Sequence, residues 1–208
     1  MNRFFILGLV ALFFYKADAR ETYNFNSNWL IDNVKKVTLP HAWNEDESFK
    51  VPIAQMSDTV VWYRKHFRLA KSEKGQHVFI EFEGARQAAE VWLNGHRLGM
   101  CENGVMAFGF ELTRYIKRGD NFIEVRTDND WNYKSPVLKS GYQWNNNNFN
   151  ANYGGLPKNV RIHVCPSVYQ TLPLYSSLGT TGVYVYGSDF NIQGKSATIN
   201  VESQVRNT

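Results

Sequence analysis

Glu81 and Glu83 are the residues whose type and spacing come nearest to a catalytic pair. Two apart on an extended strand, they share one face at about 7 Å, a separation that glycosidase chemistry uses for an acid and a second carboxylate. A general acid, however, needs its carboxyl pushed into an apolar or like-charged pocket so that its pKa rises. These two alternate with Val78, Ile80 and Phe82, and acidic residues opposite an apolar strand face are ordinarily a solvated surface. The five histidines are dispersed. His41, between Pro40 and Trp43, reads as a packed loop residue, and His66 and His163 read as outward strand positions. None has an adjacent serine or cysteine to activate. Nucleophile elbows, phosphate loops and zinc-protease motifs are missing. The expected content is therefore no catalytic residue, no metal ligand and no cofactor.

Aromatic residues in polar, turn-rich surroundings are the feature above background. They are Trp92, Trp131, Tyr133, Tyr142, Trp144, Phe149 and Tyr153. The apolar C–H faces of a sugar ring stack on such side chains, and asparagine amides both donate to and accept from hydroxyls. Six of the eight residues in 145–152 are asparagine. The flanking rings need somewhere to pack, which favours an ordered loop over a low-complexity linker. The competing reading, that most of these rings seal the edge of a sheet, stays open here.

The elements that must position these groups are strands. Val78, Ile80 and Phe82 share a face, as do Phe108, Phe110 and Leu112, and Val160, Ile162 and Val164 against Arg161 and His163. Period-two alternation is the mark of a half-buried antiparallel strand. Asn94-Gly95, between Val91-Trp92-Leu93 and Leu98, is the clearest hairpin turn, because both positions tolerate positive φ. Residues 113–116 suggest a single helical turn capped by Thr113. Many short strands with turn signals about every ten residues argue for an all-β sandwich or barrel.

The first nineteen residues read as a signal peptide: Asn2 and Arg3, an apolar run over 4–14, then Ala17-Asp18-Ala19. A bilayer core needs about 20 apolar residues, so the run is short for a membrane anchor. Removing the leader takes the formal charge from +4 to +3, since it holds Arg3, Lys16 and Asp18. That charge is scattered and no nucleic-acid partner is expected. Nor is a membrane partner once the leader is gone. An exported chain permits a disulfide between Cys101 and Cys165, but a domain of this size needs none and the sequence does not show that they meet.

The strands also spell a resemblance. Leu39-Pro40-His41-Ala42-Trp43, Trp62-Tyr63-Arg64-Lys65-His66-Phe67, Phe82-Glu83-Gly84-Ala85 and Val91-Trp92-Leu93-Asn94-Gly95 come first. Phe108-Gly109-Phe110-Glu111-Leu112-Thr113, Gly119-Asp120-Asn121 and Gly154-Gly155-Leu156 follow in the same order. Over 25–164 the chain resembles the N-terminal sugar-binding domain of glycoside hydrolase family 2, which contains β-galactosidases, β-glucuronidases and β-mannosidases. The tail from Thr181 resembles the start of that family's immunoglobulin-like second domain.

The resemblance implies a jelly-roll, galactose-binding-like sandwich over 20–165. A linker over 166–180 and the first strands of an incomplete immunoglobulin-like sandwich over 181–208 follow. It further implies a parent enzyme, periplasmic or extracellular, whose retaining hydrolysis of β-glycosides uses two barrel glutamates that have no counterpart here. This chain by itself is then expected to be inactive, with the rest of the parent enzyme and a β-glycoside as its partners. Galactoside is expected ahead of glucuronide. Family jelly rolls lend polar residues to the active-site rim, and the matching positions are Asn103, Asn148 and Asn150. Val105, Ala107 and Pro157 depart from the family pattern in the same loops, which blurs the sugar assignment. A reading from another class, a free-standing carbohydrate-binding module, rests on the aromatic and asparagine-rich loop.

Overall fold

A computed structural model describes residues 19–69, 75–130, 133, 136, 139 and 152–208. The expected leader lies almost wholly outside the described residues. In chain order the strands are β1 (Glu21–Asn24), β2 (Trp29–Ile31), β3 (Lys35–Val37), β4 (His41–Ala42), β5 (Val60–Phe67), β6 (His77–Phe82), β7 (Ala88–Leu93) and β8 (His96–Cys101). They continue as β9 (Phe108–Glu111), β10 (Asn121–Asp128), β11 (Gly155–Leu156), β12 (Val160–Cys165), β13 (Val168–Gln170), β14 (Val183–Asn191), β15 (Ser196–Ser203) and β16 (Val205–Asn207).

Two antiparallel sheets face each other. One runs β1-β12-β6-β9 and the other β3-β2-β5-β10-β7-β8. The alternating residues meet between them: Val78, Ile80 and Phe82 from one sheet, and Tyr63, Val91, Leu93, Ile123 and Val125 from the other, are all fully buried. Phe82 and Phe108 stack with centroids 4.9 Å apart, and Trp29 closes one end, its indole donating to Phe25 O at 2.9 Å. The all-β sandwich is the expected fold class. Asn94 and Gly95 have φ of +52° and +83° and turn β7 into β8. Residues 113–116 form a turn and not a helix. Thr113 fails to cap because its hydroxyl is engaged across the chain, accepting from Val78 N at 3.0 Å and donating to Glu111 at 2.8 Å.

Residues 166–180, expected as a linker, are docked. β13 pairs with β16, and Tyr169, Leu172 and Leu174 bury themselves on Phe79 and Cys165, on the outer face of the four-stranded sheet. One helical turn, Tyr175–Leu178, follows, where the Ser177 hydroxyl accepts from Gly109 N at 2.9 Å. β14 and β15 form a separate hairpin. Both cysteines are free thiols, and burial raises the pKa of each.

Candidate functional site

Strand direction decides which loops meet. β5, β7, β9 and β12 begin, and β6, β8 and β10 end, at the same edge of the sandwich. The segments around 43–59, 83–87, 102–107, 129–130 and 152–159 therefore gather there. Three buried asparagines lock them. Asn44 donates to Ser57 O and Asn152 O, both at 2.8 Å, and accepts from Gly154 N at 2.8 Å. Asn129 donates to the same two carbonyls at 3.2 Å and accepts from Thr59 N at 2.9 Å. Asn152 donates to Asn129 O at 2.7 Å. A side chain that satisfies three backbone groups out of water is costly to lose. Asn44→Ala is expected to lower stability by about 2 kcal/mol. The measurement is the urea midpoint at unchanged slope; an unmoved midpoint would show that the loops are held by something else.

Asn103 lies in this cluster, half-buried. Its side-chain oxygen accepts from Val105 N and Met106 N, both at 3.2 Å, which folds the 102–107 loop about itself. The amide nitrogen has no partner among the described residues and remains available as a donor. Asn148 and Asn150, the other expected rim residues, lie outside the described residues, as do Trp131, Tyr142, Trp144 and Phe149. Tyr133 reaches the cluster and donates to Glu102 at 2.8 Å. Tyr153 lines a cleft of about 380 Å³ with His41, Glu45, Asp46 and Phe49. Trp92 is elsewhere: it packs half-buried on Trp62, centroids 5.2 Å apart, on the outer face of the six-stranded sheet.

The carboxylate pair does not converge. Glu81 is bound to His163 at 2.7 Å, and that hydrogen bond holds its pKa below the usual value, the opposite of what a general acid needs. Glu83 is held by Arg161 at 2.8 Å and Asn159 at 2.8 Å. His66 is exposed beside Asp120, as expected of an outward residue. His163 also leaves the core but is only 5% exposed, covered and fastened at both nitrogens, the second to Thr22 at 3.1 Å. His41 is packed against Tyr63, with Nδ1 at 3.0 Å from the hydroxyl, and burial lowers its pKa.

Arg86 and Lys158 belong to the cluster and carry no sequence signal that singles them out. Arg86 N donates to Gly155 O at 3.0 Å, and its Cδ lies against Gly104. Lys158 crosses Gly84 and donates to Val105 O at 3.2 Å.

The family described as the glycosyl hydrolase 2 galactose-binding domain-like family matches residues 19–164. A β-glucuronidase of Formosa agariphila is 37% identical over 90% of this chain and 21% of its own length. A β-galactosidase of Thermoanaerobacter pseudethanolicus is 35% identical over 52% of this chain and 17% of its own. Among solved structures, a β-glucuronidase from glycoside hydrolase family 2 superposes with a TM-score of 0.78 at 34% identity. That match covers 93% of this chain and 22% of the other. The chain thus spans about a fifth of the length of these relatives.

Proposed function

Because the chain belongs to glycoside hydrolase family 2 through its galactose-binding-like N-terminal domain, we propose that it is the sugar-facing front of an exported glycosidase, shaping the rim of an active site whose catalytic glutamates lie in another domain. The observation that carries this is the gathering of five loop segments at one end of the sandwich around the buried Asn44, Asn129 and Asn152, with Asn103 offering a donor at the surface. Asn148 and Asn150 belong to the same rim in this proposal. A rigid frame under polar loops is what a binding rim requires.

The parent reaction is retaining hydrolysis of a β-glycoside. Glucuronide now stands ahead of galactoside, since the relative matching over 90% of the chain is a β-glucuronidase. The rest of the parent enzyme is the partner. Its support in the fold is the β14–β15 hairpin, which leaves Val185, Ile199 and Val201 more than half exposed on one face. An apolar face of that kind ordinarily lies against other strands.

The test is turnover of 4-nitrophenyl β-D-glucuronide and β-D-galactoside. These 208 residues are expected to hydrolyse neither. A longer gene product carrying them is expected to cleave the glucuronide with retention at the anomeric carbon. Robust turnover by this chain, abolished by one substitution within it, would sink the proposal.

A further inference from the structure

His77, the first residue of β6, is held on both sides of its ring. Nδ1 lies 2.8 Å from Glu111 Oε1 on β9, and Nε2 lies 2.6 Å from the hydroxyl of Thr208, the residue that follows β16. Tyr169 of β13 and Phe79 of β6 pack near the same ring, with centroids 5.4 and 6.3 Å from it. One side chain therefore joins the four-stranded sheet to the paired strands β13 and β16.

Counting donors at this joint fixes the state of the imidazole. A carboxylate only accepts, so Nδ1 must carry the proton it shares with Glu111. The Thr208 hydroxyl has one proton, and it is directed at Ser167 O, 3.2 Å away. What remains for Nε2 is an oxygen lone pair, so Nε2 must donate as well. A neutral imidazole has a single N–H and cannot serve both partners. With that N–H at Nδ1, the Thr208 hydroxyl would have to turn to Nε2 and leave Ser167.

The charges around the ring come from every strand packed on it. Glu111 is its paired anion. Tyr169, and Cys165 opposite His77 on β12, are kept neutral because burial raises the pKa of both. Arg206, which acts on Tyr169, and Arg20, which acts on Cys165 and donates to Gln170 O, oppose a positive ring. Neither guanidinium hydrogen-bonds the ring among the described residues, whereas Glu111 does so at contact distance, and a charge-assisted hydrogen bond outweighs solvent-screened charges further off.

We infer that His77, protonated at both nitrogens between Glu111 and Thr208, is a latch that fastens β13 and β16 to the sandwich in acid and loosens as pH rises. The docked arrangement holds a proton that the undocked one releases. By linkage, docking is strongest in acid and weakens through the histidine range, between about pH 5 and about pH 8. β14 and β15 lie in the chain between these two strands, so the latch sets how firmly the base of that hairpin is held. It is independent of what the rim binds.

Amide hydrogen exchange of this chain, each rate divided by its intrinsic chemical rate at the same pH, reads the opening of β13 and β16. Their protection is expected to fall about tenfold between about pH 5.5 and about pH 8, the worth of one hydrogen bond to a charged group. His77→Gln should flatten this dependence, while the effects of His41, His66, His96 and His163 are common to both proteins and cancel. Glu111→Gln keeps an acceptor but removes the charge, Thr208→Val removes the hydroxyl, and each should shrink the dependence. Both of these residues are exposed, so the two variants decide the matter even where His77→Gln folds poorly. Protection that is flat with pH, that rises with it, or that falls as steeply in His77→Gln overturns the latch. An undiminished fall in Thr208→Val overturns it too, since the proton would then act on Glu111 alone.

Discussion

Replacing Gly155 by alanine is expected to destabilise the chain by about 4 kcal/mol, enough to unfold a marginal domain at room temperature. Gly155 has a φ of +108°, which costs any L side chain strain before contacts are considered. A Cβ there would also overlap the Tyr63 hydroxyl. Tyr63 cannot yield: its ring is fully buried in the centre of the six-stranded sheet, and its hydroxyl is fixed by His41 Nδ1 at 3.0 Å and donates to His41 O at 3.3 Å. The same glycine pairs with Ala42 and accepts from Arg86 N, so three rim segments are joined through it. Urea denaturation measures the loss, and Gly119→Ala is the control. Gly119 has a φ of +92° with open space around it, so its substitution exposes the backbone penalty alone, about 1–2 kcal/mol. A Gly155→Ala midpoint no lower than that of Gly119→Ala would show that Tyr63 moves aside freely.

Such a junction explains which parts of this protein were legible from residues in a row. Alternation is a local property: Val78, Ile80 and Phe82 announce a buried face because neighbours two apart must point the same way. Asn94-Gly95 is local as well, since the φ values it needs are intrinsic to those residues. Phe79 and His163 are different. Alternation sends both out of the core, and it does so correctly, yet both are buried because the outer face of their sheet is itself covered. For Phe79 the cover is Tyr169, Leu172 and Leu174, from the 166–180 stretch expected as a linker.

The site follows the same division. Asn103 could be placed by its motif, whereas Arg86 and Lys158 are 72 positions apart in sequence and reach the same 102–107 loop because β6 and β12 pair antiparallel, which brings Gly84 beside Lys158. Asn44 and Asn152 are separated by 108 positions and are joined through one carbonyl. Pairings of that span depend on the register of the whole sandwich, and no window of sequence contains them. Of the asparagine run only Asn152 lies among the described residues, and it is tied to Asn44 and Asn129, which lie outside the run.

Lys65→Met is expected to stabilise the protein by about 3 kcal/mol at pH 7, against the usual trend of core substitutions. Alternation along β5 places Lys65 on the inner face with Val61, Tyr63 and Phe67, and it is only 7% exposed. Its ammonium donates to Phe25 O at 2.8 Å and lies 3.6 Å from the centre of the Phe25 ring, with no carboxylate paired to it among the described residues. Burial lowers its pKa from 10.5 to about 8. Between those values the unfolded chain holds a proton that the folded chain has released, so folding stability rises with pH across that window. Below about pH 8 the penalty of the buried charge is fully present; above 10.5 it is gone. Methionine fills a similar volume without charge, and the Phe25 carbonyl is not orphaned by the change because Trp29 Nε1 still donates to it at 2.9 Å. The stability advantage of the variant over wild type should therefore shrink by about 2 kcal/mol between pH 7 and roughly pH 9.5. Parallel urea titrations at the two pH values read this directly, because every other titrating group is common to both proteins. A gap that does not change with pH, or a variant less stable than wild type at pH 7, would mean that the cation–π contact and the hydrogen bond outweigh the lost hydration of the ammonium.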